Sequence, residues 1–92
     1  MTQSHLSSEN LQNRPVVLIF LKGLASPVVL YTDDCQKLQT EIKLVIQSAN
    51  SNSPQLVEKM GNGPLRHVAF LDTAVLGVAI QYPMDQAFNK TA

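Results

Sequence analysis

An uninterrupted apolar run, "VVLIFL", occupies positions 16–21 between Pro15 and Lys22. Its β-branched, aromatic and leucine residues, and the proline that precedes them, are typical of a β-strand. A strand directs alternate side chains to opposite faces, so this strand is apolar on both faces. One amphipathic helix can cover only one of them, and we therefore expect a further contact to cover the other.

The length of 92 residues indicates one small domain. Polar residues dominate positions 1–13, and positions 82–92 are mixed in character. We therefore expect a flexible N-terminal arm over 1–13, a single folded domain over 14–81 and a flexible C-terminal tail over 82–92. A domain of this size has a marginal hydrophobic core, which makes an exposed apolar strand face costly.

A second strand and a helix are predicted to follow the first strand. The run "VVLY" at 28–31 comes after the turn residues "KGLASP", and so short a loop predicts an antiparallel hairpin. The segment 32–50 has helical periodicity, and either Thr32 or Asp33 can cap its first turn. If Asp33 is the cap, Gln36 takes the third helical position, as in a capping box. The apolar stripe of this helix consists of Cys35, Leu38, Ile42, Val45 or Ile46, and Ala49.

The second half of the chain is predicted to be mostly strand. The run at 55–60 fits a short helix or a strand, and the glycine turn "GNGP" with the strand-like run at 65–71 after it favours a strand. Asp72 then begins a short capping turn that ends at Gly77, and a last strand occupies 78–81. In the run at 65–71, one face presents Leu65, His67, Ala69 and Leu71, and the other presents Arg66, Val68 and Phe70.

These elements predict an α+β fold, an antiparallel sheet of four to five strands with one amphipathic helix packed on one face. The order is ββαβββ, or ββαββ if the last two runs form one bent strand. Burying one large apolar side chain stabilises a protein by about 1.5–3 kcal/mol, so leaving three in water forgoes about 5–9 kcal/mol. That is a large part of the free energy of unfolding of an ordinary domain, about 5–15 kcal/mol. The two sets on the first strand are Val16, Leu18 and Phe20 against Val17, Ile19 and Leu21. Val29 and Tyr31 of the second strand, or Val28 and Leu30, extend this interaction face.

Three coverings of the remaining face are open. The arm and the tail can fold over it, a second copy can stack on it as a two-fold homodimer, or a segment of a larger protein can lie there or add a strand to a sheet edge. We expect the homodimer, and a binding site for a partner segment can coexist with it.

The sequence contains few residues that could take part in catalysis or metal binding. A weak candidate site consists of His67, Arg66 and Asp72, in which His67 would act as general base. Two histidines and one cysteine are too widely scattered to suggest a metal site, and no catalytic set or cofactor motif is evident. Cys35 lies on the apolar stripe beside an acidic pair, which favours packing over reactivity.

Charge and hydropathy exclude further classes of partner. The seven basic and seven acidic residues cancel, so we expect no nucleic-acid binding. No apolar run approaches the roughly twenty residues of a membrane helix, and the first residues lack the pattern of a secretory signal. A single cysteine suits a reducing compartment. These features predict a cytoplasmic protein that contacts no membrane.

The order of segments between Val28 and Gln81 resembles a small uncharacterised family of cyanobacteria and plastids. Its members have a helix followed by "P-x-L-x-E-L", a turn, a "K-[VI]-A-[VL]-L" strand and a closing "[IV]-x-x-V-Q-I". The resemblance implies no catalytic residues; it implies a cyanobacterial cytoplasm and a role near photosynthesis or carbon fixation. The matching positions are Pro54, Leu56, Glu58, Val68, Ala69, Leu71, Val75, Val78 and Ile80.

We therefore expect a non-enzymatic protein-interaction module, a homodimer that acts as a small assembly factor, chaperone or adaptor by binding a segment of a larger partner, with carboxysome assembly as one setting. The alternative is a small-ligand sensor or enzyme with a pocket near His67 and Asp72.

Overall fold

The computed structural model describes residues 14–83, so the predictions for the arm over 1–13 and for the tail beyond residue 83 lie outside the described residues. Within that range the chain is α+β, as predicted, with the element order ββαβββ. The elements are β1 (Val16–Leu21), β2 (Val28–Leu30), α1 (Cys35–Ser48), β3 (Leu56–Met60), β4 (His67–Leu71), a 3-10 turn (Asp72–Ala74) and β5 (Val75–Gln81).

The five strands are divided between two antiparallel sheets. The larger sheet has the order β2-β1-β5, and β3 and β4 form a separate hairpin. Because β2 and β5 occupy both edges of β1, the hairpin has no edge of the central strand to join. In the larger sheet, Leu18 lies opposite both Val29 and Ala79, and a register shift near Phe20 interrupts the pairing with β5.

The core lies on one face of the larger sheet. Val17 and Ile19 of β1 are fully buried there, and α1 inserts Ile42 between the sheet and the rest of the core. Val57 and Phe70 of the β3–β4 hairpin join the same cluster. Helix and hairpin therefore cover the same side of the sheet, which we call the inner face; α1 packs chiefly against β5, and the hairpin tip contacts the end of β2.

The helix begins later than predicted. Asp34 is its N-cap, because its Oδ1 accepts the backbone N–H of Lys37 at 3.0 Å. The prediction of Thr32 or Asp33 was wrong, since the hydroxyl of Thr32 accepts the N–H of Asp34 and the carboxylate of Asp33 accepts from other side chains. Lys37, and not Gln36, consequently takes the third helical position.

The "GNGP" segment forms the tip of the β3–β4 hairpin, as predicted for a turn. The N–H of Asn62 donates to the carbonyl of Tyr31 at 2.8 Å, which joins this tip to the end of β2. A Cβ on Gly63 would lie 2.8 Å from Cγ of Tyr31, so only glycine permits the Tyr31 ring to pack so closely. The guanidinium of Arg14 lies 6.0 Å from the centre of the same ring.

Candidate interaction surfaces

The two sets of side chains on β1 differ in their burial. Val17 and Ile19 are fully buried, and Leu21 packs against the core. These three of the eight predicted interface residues therefore belong to the core, and their inclusion in an interaction face was wrong. The reason is that α1 and the β3–β4 hairpin together seal the inner face.

The opposite set forms what we call the outer face of the larger sheet. Phe20 and Val29 are exposed on it, Leu18 is half-buried and Val16 is buried. Tyr31, the last predicted interface residue, is half-buried because its ring packs on the hairpin tip. The predicted outer set thus retains two clearly exposed apolar side chains.

A second apolar surface lies on the β3–β4 hairpin, on the side turned away from the core. Its three cross-strand pairs are Leu56 with Leu71, Glu58 with Ala69, and Met60 with His67. All six residues are exposed, Met60 by 72%, Leu56 by 61% and Leu71 by 48%. We call these six residues the hairpin face. Leu56 and Leu71 are paired across the two strands, so they form a contiguous apolar patch, and contiguous patches are the ones that mark interaction sites.

Sequence reasoning placed Leu65, His67, Ala69 and Leu71 together but did not recognise the hairpin face as a surface. The signal is the alternation in "LVEKM" and "HVAFL", where one set is buried and the other exposed. Periodicity identifies two faces but not which of them meets the core, and the partner strand has to be known before the exposed pairs can be assigned.

The weak candidate site of His67, Arg66 and Asp72 is not assembled. His67 lies at the start of β4, where its Nε2 is 3.1 Å from Oε1 of Glu58. Asp72 follows the other end of the same strand, about 16 Å away at 3.3 Å per residue. Arg66 precedes β4 and is exposed, and its carbonyl accepts the N–H of Gly61 at 3.0 Å.

Asp72 has a structural contact instead. It is buried, its Oδ1 accepts the backbone N–H of Gln55 at 3.0 Å, and its own N–H donates to the carbonyl of Gln55 at 2.8 Å. These two bonds close the open end of the β3–β4 hairpin. The carboxylate therefore extends the pairing of the strands beyond their last regular pair.

Cys35 packs as predicted. Its thiol is partly buried and lies 3.7 Å from the carbonyl oxygen of Pro15 and 3.9 Å from that of Thr32, which it can approach as a donor. Burial raises the pKa of the Cys35 thiol, the charge of Arg14 lowers it, and the charge of Asp34 raises it, with a net increase. The thiolate is thus disfavoured at neutral pH.

A surface cleft of about 400 Å³ lies between the first turns of α1 and the hairpin tip. Several charged side chains line it: Lys59 Nζ lies 2.9 Å from Glu41 within the cleft, and Asp33 lies 3.4 Å from Arg14, which is outside the lining. Ligand pockets of this size are usually lined by apolar groups with a few convergent polar ones. The composition of the cleft therefore does not favour it as the main site.

Within residues 14–83, no group of three or more His, Cys, Asp or Glu side chains is placed to hold a metal ion. The described part of the chain also has no helix with the length and apolar character needed to cross a membrane. No protein-family model matches the chain, and no curated protein or solved structure matches it either.

Proposed function

We propose that this protein is a non-enzymatic protein-interaction module that forms a homodimer and binds a segment of a larger partner, as a small assembly factor or adaptor. The observation that supports it is the hairpin face, on which Leu56 and Leu71 form an exposed apolar pair. An apolar segment laid across this pair removes from water side chains that the rest of residues 14–83 leaves exposed.

The chemistry of the hairpin face fits a peptide segment better than a small molecule. The surface is built on two paired strands, and all six of its residues are exposed. Met60 at one end is unbranched and flexible, which suits a surface that adapts to a partner. Glu58 and His67, which contact each other within this surface, offer a polar pair that can orient the segment. The partner therefore presents an apolar stretch with a neighbouring hydrogen-bonding group.

The cellular setting belongs to the same proposal. We place the protein in the cytoplasm, and the resemblance of 28–81 to the cyanobacterial and plastid family supports a role close to photosynthesis or carboxysome assembly. The balanced charge supports a protein partner over a nucleic acid, because a phosphate backbone is held by clustered positive charge.

Affinity purification of paired variants from an extract of native cells tests this function. The Leu56→Gln, Leu71→Gln double variant removes the apolar pair, and Leu44→Gln is the matched control, since Leu44 is 58% exposed on α1. We expect a stoichiometric partner on the wild type and on the control. Loss of about 2 kcal/mol of apolar contact lowers the affinity of the double variant about 30-fold.

Circular dichroism on each variant establishes that it is folded at the concentration used. The proposal fails if the folded wild type retains no stoichiometric partner. A partner that the double variant retains at full yield refutes the assignment to the hairpin face.

A further inference from the structure

β5 is an edge strand of the larger sheet. Its seven residues pair with β1 on one side, and among residues 14–83 no strand pairs with the other side. In an antiparallel strand, every second residue directs its N–H and C=O away from its neighbour. The free edge of β5 thus presents the unpaired groups of about three or four residues.

The other described edges carry features that discourage pairing. β2 has only three residues and follows Pro27, and the carbonyl of Tyr31 just beyond it accepts the N–H of Asn62. β3 contains Glu58 and Lys59, and β4 begins with His67. Short length, proline and charge are the usual means by which proteins protect an open edge.

β5 has none of these protections. Its sequence, "VLGVAIQ", contains no ionisable residue and no proline. Its register irregularity leaves Leu76 without a partner on β1, and the residues from Gly77 to Gln81 pair regularly. A long, apolar, uncharged edge is a template for pairing with a strand of another chain. Of the described strands, β5 is therefore the one whose free edge has the fewest features that discourage pairing.

The residues of β5 are symmetric about Val78. Small residues, Gly77 and Ala79, flank it on both sides, and large apolar residues, Leu76 and Ile80, come next. A two-fold axis through Val78 sets it opposite Val78 of a second copy, and it sets Gly77 opposite Ala79 of that copy. Small residues then meet small ones on both sides of the Val78 pair, so the regular part of the strand is complementary to itself.

We propose that two copies of this chain pair through the free edges of β5, antiparallel and in a register centred on Val78, to form one continuous six-stranded sheet. This inference rests on the homodimer of the proposed function and names its interface. It leaves the hairpin face free for the partner segment.

The flank of α1 above this edge is also suited to contact with a second copy. Glu41 contacts Lys59 of the hairpin, so that flank of the helix faces β3. Ile46 lies five residues further along, about 140° around the helix, on the flank away from the hairpin. The hairpin tip contacts β2 and the helix packs chiefly against β5, so Ile46, 37% exposed, lies on the side of the β5 edge. An apolar helix flank beside an open apolar edge suits the same chain related by two-fold symmetry.

Site-specific disulfide formation tests the register. In a Cys35→Ser background, Val78→Cys places two thiols directly opposite each other across the axis, within the Cα separation that a disulfide allows. Gln81→Cys is the matched control on the same strand, because the register separates its two copies by six residues. We expect Val78→Cys to form the covalent dimer at least about tenfold faster than Gln81→Cys.

Hydrogen exchange on the unmodified full chain gives a second measurement that no substitution can disturb. Light scattering first locates the concentration at which the mass doubles, and amide exchange is then followed below and above it. We expect the outward amides of β5 to gain protection in the dimer, whereas those of β3 and β4 do not.

The outcomes separate the inference from the proposed function. A dimer whose β5 amides remain unprotected, or whose Gln81→Cys protein is cross-linked as fast as Val78→Cys, refutes edge pairing but keeps the homodimer. A chain that stays monomeric at every concentration refutes both. Partner binding, measured separately, survives or fails independently of either result.

Discussion

Replacing Asp72 by alanine is the perturbation for which the structure gives the most definite expectation. The buried carboxylate accepts the N–H of Gln55 at 3.0 Å, and alanine leaves that donor without its partner. The matched variant Asp72→Asn retains an oxygen at the same place. The comparison therefore isolates the loss of the acceptor from the loss of the charge.

The size of the effect follows from the surroundings of the donor. Leaving a buried N–H unpaired costs about 1–3 kcal/mol. Because Gln55 is exposed and water can reach it in part, we expect Asp72→Ala to lower the free energy of unfolding by about 1.5 kcal/mol. In a domain of this size that corresponds to a fall in Tm of about 6–12 °C.

Guanidinium-induced unfolding measures the free energy, and a thermal melt measures the Tm. We expect Asp72→Asn to lose less than half as much stability as Asp72→Ala. An Asp72→Ala protein as stable as the wild type, or more stable, would show that the carboxylate costs more to bury than its hydrogen bond returns. The burial of the Asp72 carboxylate would then need an explanation other than stability, such as a role in ligand binding.

Two further predictions concern the hairpin tip and the thiol. Gly63→Ala sets a methyl group against the ring of Tyr31 and should destabilise the protein by about 1–3 kcal/mol, whereas Gly77→Ala, whose new Cβ lies 4.0 Å from Phe20, should cost less than about 0.5 kcal/mol in denaturant titrations. The raised pKa of Cys35 predicts slower alkylation in the folded protein than in the unfolded one at mildly alkaline pH. Since the folded state holds this proton more tightly, the contribution of Cys35 to stability falls as the pH rises above the pKa of the unfolded chain. Equal alkylation rates in the two states would contradict this assignment.

Local sequence patterns predicted most of the secondary-structure elements. The apolar run at 16–21 is β1, the periodic segment at 32–50 contains α1, and the ambiguous run at 55–60 contains β3. The bounds of some elements were wrong by a few residues. The turn after β4 ends at Ala74 and not at Gly77, and β5 begins at Val75 and not at Val78, because Val75 already pairs with Leu21. Asp33 binds Arg14 and Asn62, so the cap falls to Asp34.

The surfaces were less predictable. The two faces of β1 could be listed from alternation, but which one meets the core depends on where the helix and the hairpin lie. Likewise, adjacency in sequence suggested a site of His67 and Asp72, and an extended strand holds them apart. A short spacing along a strand does not bring side chains together in space.

The sequence by itself determined the α+β class, the element order and the apolar excess of β1, because side-chain periodicity and turn chemistry are properties of neighbouring residues. The tertiary structure alone decided three features of residues 14–83: the division of the strands into two sheets, the exposure of the hairpin face and the edge of β5 that no other described strand pairs with. These depend on contacts between residues far apart in the chain. β1 has only two edges, and β2 and β5 fill both, so the β3–β4 hairpin packs over the inner face and turns its apolar pair, Leu56 and Leu71, outward.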